Sequence, residues 1–210
     1  MGKVKRKEEI LTTACHLFSQ KGYHGTTMRD ISEACGILAG SLYTHIRSKE
    51  DLLYEITDRG AQSFLQSLQQ VVNSEKSAAE KLRLALRAHI QVVAENIEAA
   101  TVFFHEWKAL TGERRKQIQK KRDQYELMWK QILLEGIQSG ELHDLDGKFA
   151  RLLLLSVGNW LYQWYKPDGK LSVDEIVDRF MTILLYGFLG QKEGIHFESG
   201  RNVYETDQTG

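Results

Sequence analysis

One proline, two cysteines and no excess of charge of either sign leave a 210-residue chain with few of the usual landmarks. With Pro167 the only proline, almost every stretch is free to be helical, and Lys166-Pro167-Asp168-Gly169 marks a turn. Cys15 and Cys35 both fall on apolar helical faces, which predicts two free buried thiols rather than a disulfide. Two cysteines cannot build a four-ligand zinc site without histidine help. Lys and Arg total 28 against 28 Asp and Glu, so bulk charge attraction to a polyanion is excluded. A nucleic-acid binder of this composition has to concentrate its basic residues, and Lys3, Lys5, Arg6 and Lys7 precede any acidic residue. Long apolar runs are missing as well. The greasiest stretch, LLLLSVGNWLYQWY, is flanked by Arg151 and Lys166 and falls short of the roughly 18 residues of a membrane span. The basic N-terminus leads into an amphipathic segment rather than the apolar core of a signal peptide. No membrane partner is expected, and the expected compartment is the cytoplasm.

Catalytic motifs are absent too. His105-Glu106 has Ala109 where a zinc-protease helix needs its second histidine, and no Gly-rich phosphate loop or nucleophile elbow occurs. His143-Asp144 reads as a solvated turn pair, and His89 as a satisfied core histidine. No catalytic residue, metal site or cofactor is assigned.

What remains is a succession of helical periodicities. No segment sustains period-two alternation, and the fold class is all-α with about nine helices. Residues 5–21 carry Ile10, Leu11, Ala14, Leu17 and Phe18 on one face and end at Gly22. Ser48 opens a helix predicted to run to about Asn73. Ser77 with Glu80, and Ser172 with Glu175, have the spacing of capping boxes that open later helices. Further helices are predicted over 102–110, 113–138, 146–165 and from Ser172 through Phe188, with a polar tail after Gly190.

Residues 26–53, TTMRDISEACGILAGSLYTHIRSKEDLL, hold the most specific pattern. Thr27 with Asp30 predicts a cap, Met28, Ile31 and Ala34 a buried stripe, and Gly36 the left-handed residue that ends a helix. Ile37 and Leu42 can then pack a second short helix on the first. Ser48 with Asp51 predicts another capping-box start. Helix, Gly-containing turn and short helix form the layout whose second helix enters the DNA major groove. Helix N-termini at Thr27 and Ser48 present N–H groups suited to phosphate oxygens.

This unit resembles the TetR family of bacterial regulators. The resemblance rests on Thr27-Met28-Arg29-Asp30-Ile31, Ala34-Cys35-Gly36, Gly40-Ser41-Leu42-Tyr43 and Ser48-Lys49-Glu50-Asp51-Leu52-Leu53. It implies a DNA-binding domain over 1–50, a ligand-binding and dimerisation domain over 51–190, and a flexible tail over 191–210. It implies a homodimer on a palindromic operator, with Thr27, Arg29, Ala39, Gly40, Ser41, Tyr43, Thr44, His45 and Lys49 on the DNA. The chain departs from the family pattern at Leu38, where Ser or Thr is usual, and at Ile46-Arg47. A missing cap at Leu38 should loosen the recognition helix, and Arg47 could add a phosphate contact.

Together with Leu38-Ala39-Gly40-Ser41-Leu42-Tyr43, the strings EGIQSGE (135–141) and GNWLYQWYKPDG (158–169) resemble the branch of the family that responds to acyl-CoA thioesters. That implies a repressor of fatty-acid or related acyl catabolism genes, released by an acyl-CoA. Aromatic and Met side chains point weakly the same way, since an adaptable apolar cavity suits a long apolar ligand. The expected lining is Phe103, Phe104, Trp107, Tyr125, Met128, Trp129 and Trp160, with Arg87 and Arg151 among the cations available to a CoA head. A regulator of an efflux or detoxification gene, responding to a hydrophobic drug-like compound, stays open as the second reading.

Overall fold

The computed structural model describes residues 2–187; the Lys3 side chain, Phe188 and the expected tail lie outside the described residues. Helices α1 (Gly2–Lys21), α2 (Met28–Ala34) and α3 (Ala39–Leu42) form the N-terminal unit. Helices α4 (Lys49–Val72), α5 (Ala78–Glu95), α6 (Ile97–His105), α7 (Gly112–Ser139), α8 (Gly147–Asn159), α9 (Leu161–Trp164) and α10 (Val173–Tyr186) form the remainder, with a 3-10 turn at Trp107–Ala109 between α6 and α7. No strand occurs among the described residues. The all-α expectation holds.

Local chemistry explains most of the boundaries. The Thr27 hydroxyl accepts from the Asp30 N–H at 3.1 Å, and the Asp30 carboxylate accepts from the Thr27 N–H at 2.7 Å. Reciprocal boxes also open α5 at Ser77 and α10 at Ser172. At Ser48 only half of the expected box forms. Ser48 caps Asp51 at 3.1 Å, but the Asp51 carboxylate turns away to Arg114 on α7. Gly22, Gly36 and Gly140 take φ of 75°, 63° and 76° at helix ends, where a side chain would be strained.

One element is short as expected and another is interrupted. Helix α3 spans four residues, and Leu38 at its N-cap makes no side-chain hydrogen bond. The segment predicted as one helix over 146–165 is broken at Trp160. Gly158 and Asn159 are poor helix formers, and they stand where α8 crosses the imidazole of His89. That crossing is close enough that a Cβ at Gly158 would collide with the His89 ring.

Helix α4 belongs to two cores. At about 1.5 Å per residue its 24 residues span roughly 36 Å. Leu52, Leu53 and Ile56 close the N-terminal core with Ile10, Phe18, Ile31 and Leu42, while Phe64, Leu65 and Leu68 pack among α5, α6 and α7. His89 lies at the centre of this second core, 2% exposed, with Nδ1 2.8 Å from the Tyr125 hydroxyl. Burial lowers its pKa from 6.5 to about 4, against a smaller opposing influence from Asn159, so native His89 is neutral at pH 7.

Two outcomes follow from this crossing. Gly158→Ala should destabilise the protein by about 2 kcal/mol through overpacking against the ring, read as a lowered urea midpoint. Because the folded pKa is depressed, the unfolded chain takes up a proton that native His89 refuses as pH falls from 6.5 toward 4. Stability present above pH 6.5 is therefore lost on acidification, by about 3 kcal/mol for this group. His89→Gln should remove that part of the slope in urea titrations between pH 7 and 4.5; parallel slopes would refute the assignment.

Candidate operator-binding surface and ligand cavity

In the N-terminal unit, Ile31, Leu42 and Ile46 are buried and hold α3 across α2. The opposite side of α3 is left to solvent: Ala39, Gly40, Ser41 and Thr44 are exposed, and Tyr43 is 54% exposed. The Thr44 hydroxyl donates to the Ser41 carbonyl at 2.7 Å. His45 is half-buried, with Nδ1 unpartnered. Arg29 is exposed on α2 and pairs with Glu33 at 2.7 Å, an i,i+4 contact in solvent that an incoming phosphate can displace.

Lys49 corrects an expectation. Its amine turns inward, donating to the carbonyls of Tyr23 and Thr26 at 2.7 Å each, and lies over the Tyr23 ring at 4.2 Å. Burial lowers its pKa from the ordinary lysine value. The carbonyls of the α1–α2 connection need donors, and the first residue of α4 sits beneath them. Lys49 therefore splints the reading head instead of offering a free charge. Part of the basic N-terminus is also engaged, Arg6 with Glu9 and Lys7 with Glu55. Leu38, 83% exposed, and the exposed Arg47 border α3 and enlarge the surface beyond the expected set.

The larger core encloses a small cavity of about 40 Å³. Phe64, Phe103, Phe104, Ala61 and Leu155 form its apolar lining, and His89, Tyr125, Lys121, Arg122, Glu126 and Asn159 its polar lining. Phe103, Phe104 and Tyr125 thus stand together as expected. Burial raises the Tyr125 phenol, while the Trp129 indole acts in the opposite direction. Trp129 and Met128 are buried behind this lining, and Trp107 is buried beneath the guanidinium of Arg122.

Three expected residues lie elsewhere. Trp160 is 61% exposed, because the break between α8 and α9 turns it out of the interior. Arg87 faces α10, where Asp174 takes its guanidinium at 2.6 Å. Arg151 pairs with Glu126 at 3.2 Å. Arg122 was missed. It shares the helical stripe of Ile118, Tyr125 and Trp129, a spacing that places a cation on the inward face.

A second cleft, of about 230 Å³, lies where α1 meets α4, α5 and α6. Bidentate Arg59–Glu8 contacts at 2.7 and 2.8 Å, and His16–Glu98 at 2.7 Å, tie its sides together. Cys15 lines it with its thiol pushed up to about 12, first by burial and then by Glu98, so the sulfur is unreactive. On the far side of the molecule α8 and α10 leave apolar side chains uncovered, including Phe149 at 66%, Leu152, Leu153 and Leu185. Among the described residues no three His, Cys, Asp or Glu side chains are placed to hold a metal ion. No described helix is long and apolar enough to cross a membrane.

Known proteins share this arrangement. Residues 10–56 match the pattern of "Bacterial regulatory proteins, tetR family", and residues 75–188 that of "Tetracyclin repressor-like, C-terminal domain". The HTH-type transcriptional repressor KstR2 of Mycolicibacterium smegmatis is 30% identical over 197 residues, covering 90% of this chain and 93% of its own. The fatty acid metabolism regulator protein of Bacillus subtilis is 25% identical over 181 residues, covering 85% of this chain and 93% of its own. Among solved structures, AibR in complex with isovaleryl coenzyme A and operator DNA superposes with a TM-score of 0.76 at 31% identity, covering 85% of this chain and 97% of that one. With both halves of the chain matched and a 30% identical repressor aligned along nine-tenths of it, the protein belongs to the TetR family of transcriptional regulators.

Proposed function

We propose that the protein is a dimeric repressor that binds a palindromic operator and is released by an acyl-CoA, controlling genes of fatty-acid or related acyl catabolism. The exposed face of α3, with Tyr43 at its end, supports groove reading by a small set of side chains on a near-neutral chain. The uncovered apolar side chains of α8 and α10 support pairing of those helices with a second copy. A two-fold dimer would set its recognition helices about one turn of DNA, roughly 34 Å, apart.

The observation that carries the ligand reading is a mismatch of size and chemistry. The aromatic cavity is far below the roughly 300 Å³ of an occupied ligand site, yet its lining mixes aromatic faces with unspent polar groups. A ligand entering it has to push its walls apart. Helix α6 is one of those walls, through Phe103 and Phe104, and also touches α1 through Glu98 and His16. Opening the cavity would therefore move α6 against the reading head. Ligand and DNA then prefer different conformers, which is the differential binding that coupling requires. Kinship with a regulator crystallised with isovaleryl coenzyme A and operator DNA supports a thioester as that ligand.

Tyr43→Ala should weaken operator binding about tenfold in fluorescence anisotropy while sedimentation still shows a dimer; an unchanged affinity would remove Tyr43 from the DNA face. Acyl-CoAs of graded chain length, titrated into the operator complex, should release DNA for one range of lengths. Release by hydrophobic drug-like compounds and by no thioester would replace this reading with that of an efflux or detoxification regulator.

A further inference from the structure

We propose that Arg122 is the specificity residue of the cavity, binding an acceptor oxygen of the ligand, a carbonyl or a carboxylate, with the polar edge of His89 beside it on the same lining. The proposal rests on the acyl-CoA reading and deepens it.

The charges around the cavity divide unequally. Lys121 is held by Asp58 at 2.7 Å, and Glu126 by Arg151 at 3.2 Å. Arg122 lines the same space and has no ion pair or hydrogen bond among the described residues. Its guanidinium stacks instead on Trp107 at 4.8 Å and on Phe103 at 5.1 Å. Ring faces offset part of the cost of withdrawing a cation from water, but they accept none of its planar N–H donors. Glu126 and Asp123 favour the charge only at longer range, and burial outweighs them. The Arg122 donors are left to water, and a ligand that displaces that water from the cavity has to bring an acceptor in its place.

His89 supplies the second, independent observation. Its Nε2 is buried against Gly158 without a well-formed hydrogen bond, the Asn159 side chain being the polar group beside it, while Nδ1 is taken by Tyr125. The Trp129 indole N–H, also buried and without a normal hydrogen bond, lies on the Tyr125 side and lowers the phenol's pKa against burial. An indole can only donate, which favours a Tyr125 hydroxyl that donates onward to Nδ1 and leaves the proton on Nε2. The lining then carries a guanidinium without a protein acceptor and, packed against Gly158 and Asn159, an imidazole N–H, both donors, among aromatic walls. A plain hydrocarbon would leave the guanidinium without an acceptor. An oxygen-bearing acyl group would not. That oxygen has two possible sources, the thioester carbonyl or a carbonyl or carboxylate farther along the acyl chain.

The test compares the full-length wild-type protein with Arg122→Met and Arg122→Lys, each first shown to melt cooperatively and to bind operator. Three ligands of equal chain length are titrated into the operator complex: a saturated acyl-CoA, the S-alkyl-CoA thioether that lacks the carbonyl, and an ω-carboxyacyl-CoA. If the thioester carbonyl is the acceptor, wild type should favour acyl-CoA over alkyl-CoA about tenfold. If a distal oxygen is the acceptor, it should favour ω-carboxyacyl-CoA over acyl-CoA by a similar factor. In either case Arg122→Met should erase the preference and Arg122→Lys should keep part of it. Equal release by all three ligands, or a preference that survives in Arg122→Met, overturns the role of Arg122 and leaves the acyl-CoA reading standing. Failure of every CoA compound to release wild-type protein overturns the acyl-CoA reading and this inference together.

Discussion

The shared helix α4 is the constraint on which the rest of the molecule depends. One continuous apolar stripe, from Leu52 to Val72, is buried first against the reading head and then against the larger bundle. A helix with no proline and with side chains buried at both ends ties the packing of one core to that of the other. Helix α6 adds a second link, since it is a wall of the cavity at Phe103 and a neighbour of α1 at Glu98.

Electrostatics in this chain is mainly a matter of which charges are already engaged. Lys49, Arg87, Arg114 and Arg151 all have partners within the fold, and the near-zero net charge leaves no general attraction for DNA or for a phosphate-rich head group. The groups left without a partner are few, among them Tyr43 and Arg47 on one surface and Arg122 within. Such an arrangement favours selectivity over bulk affinity, because an ill-fitting partner leaves those groups unsatisfied.

How much of this was legible in the sequence depends on the range of the interaction. Capping boxes at Thr27, Ser77 and Ser172 need residues three apart, and all three form as the spacing predicts. The helix-turn-helix unit, contained within about 50 residues, was equally readable. Features set by distant partners were not. Asp51 leaves its own cap for Arg114, 63 residues away, and Arg87 is taken by Asp174, 87 residues away. The hydrophobicity of 146–165 gives no hint that the helix stops at Trp160, or that Gly158 just before it packs on His89 of another helix. Among the cavity residues, aromatic content pointed to Phe103, Phe104 and Tyr125. Arg122 was masked by its charge, although its register matched theirs.

The interruption between α8 and α9 separates two jobs that an unbroken helix would fuse. Leu155 and Asn159 of α8 line the cavity, whereas Tyr162 of α9 is hydrogen-bonded to His105 at the end of α6. With a hinge between them, a substitution in α8 can reshape what the cavity accepts without dragging the α9 anchor off α6. The shape of the cavity and its attachment to α6 are thus set by different segments of the chain.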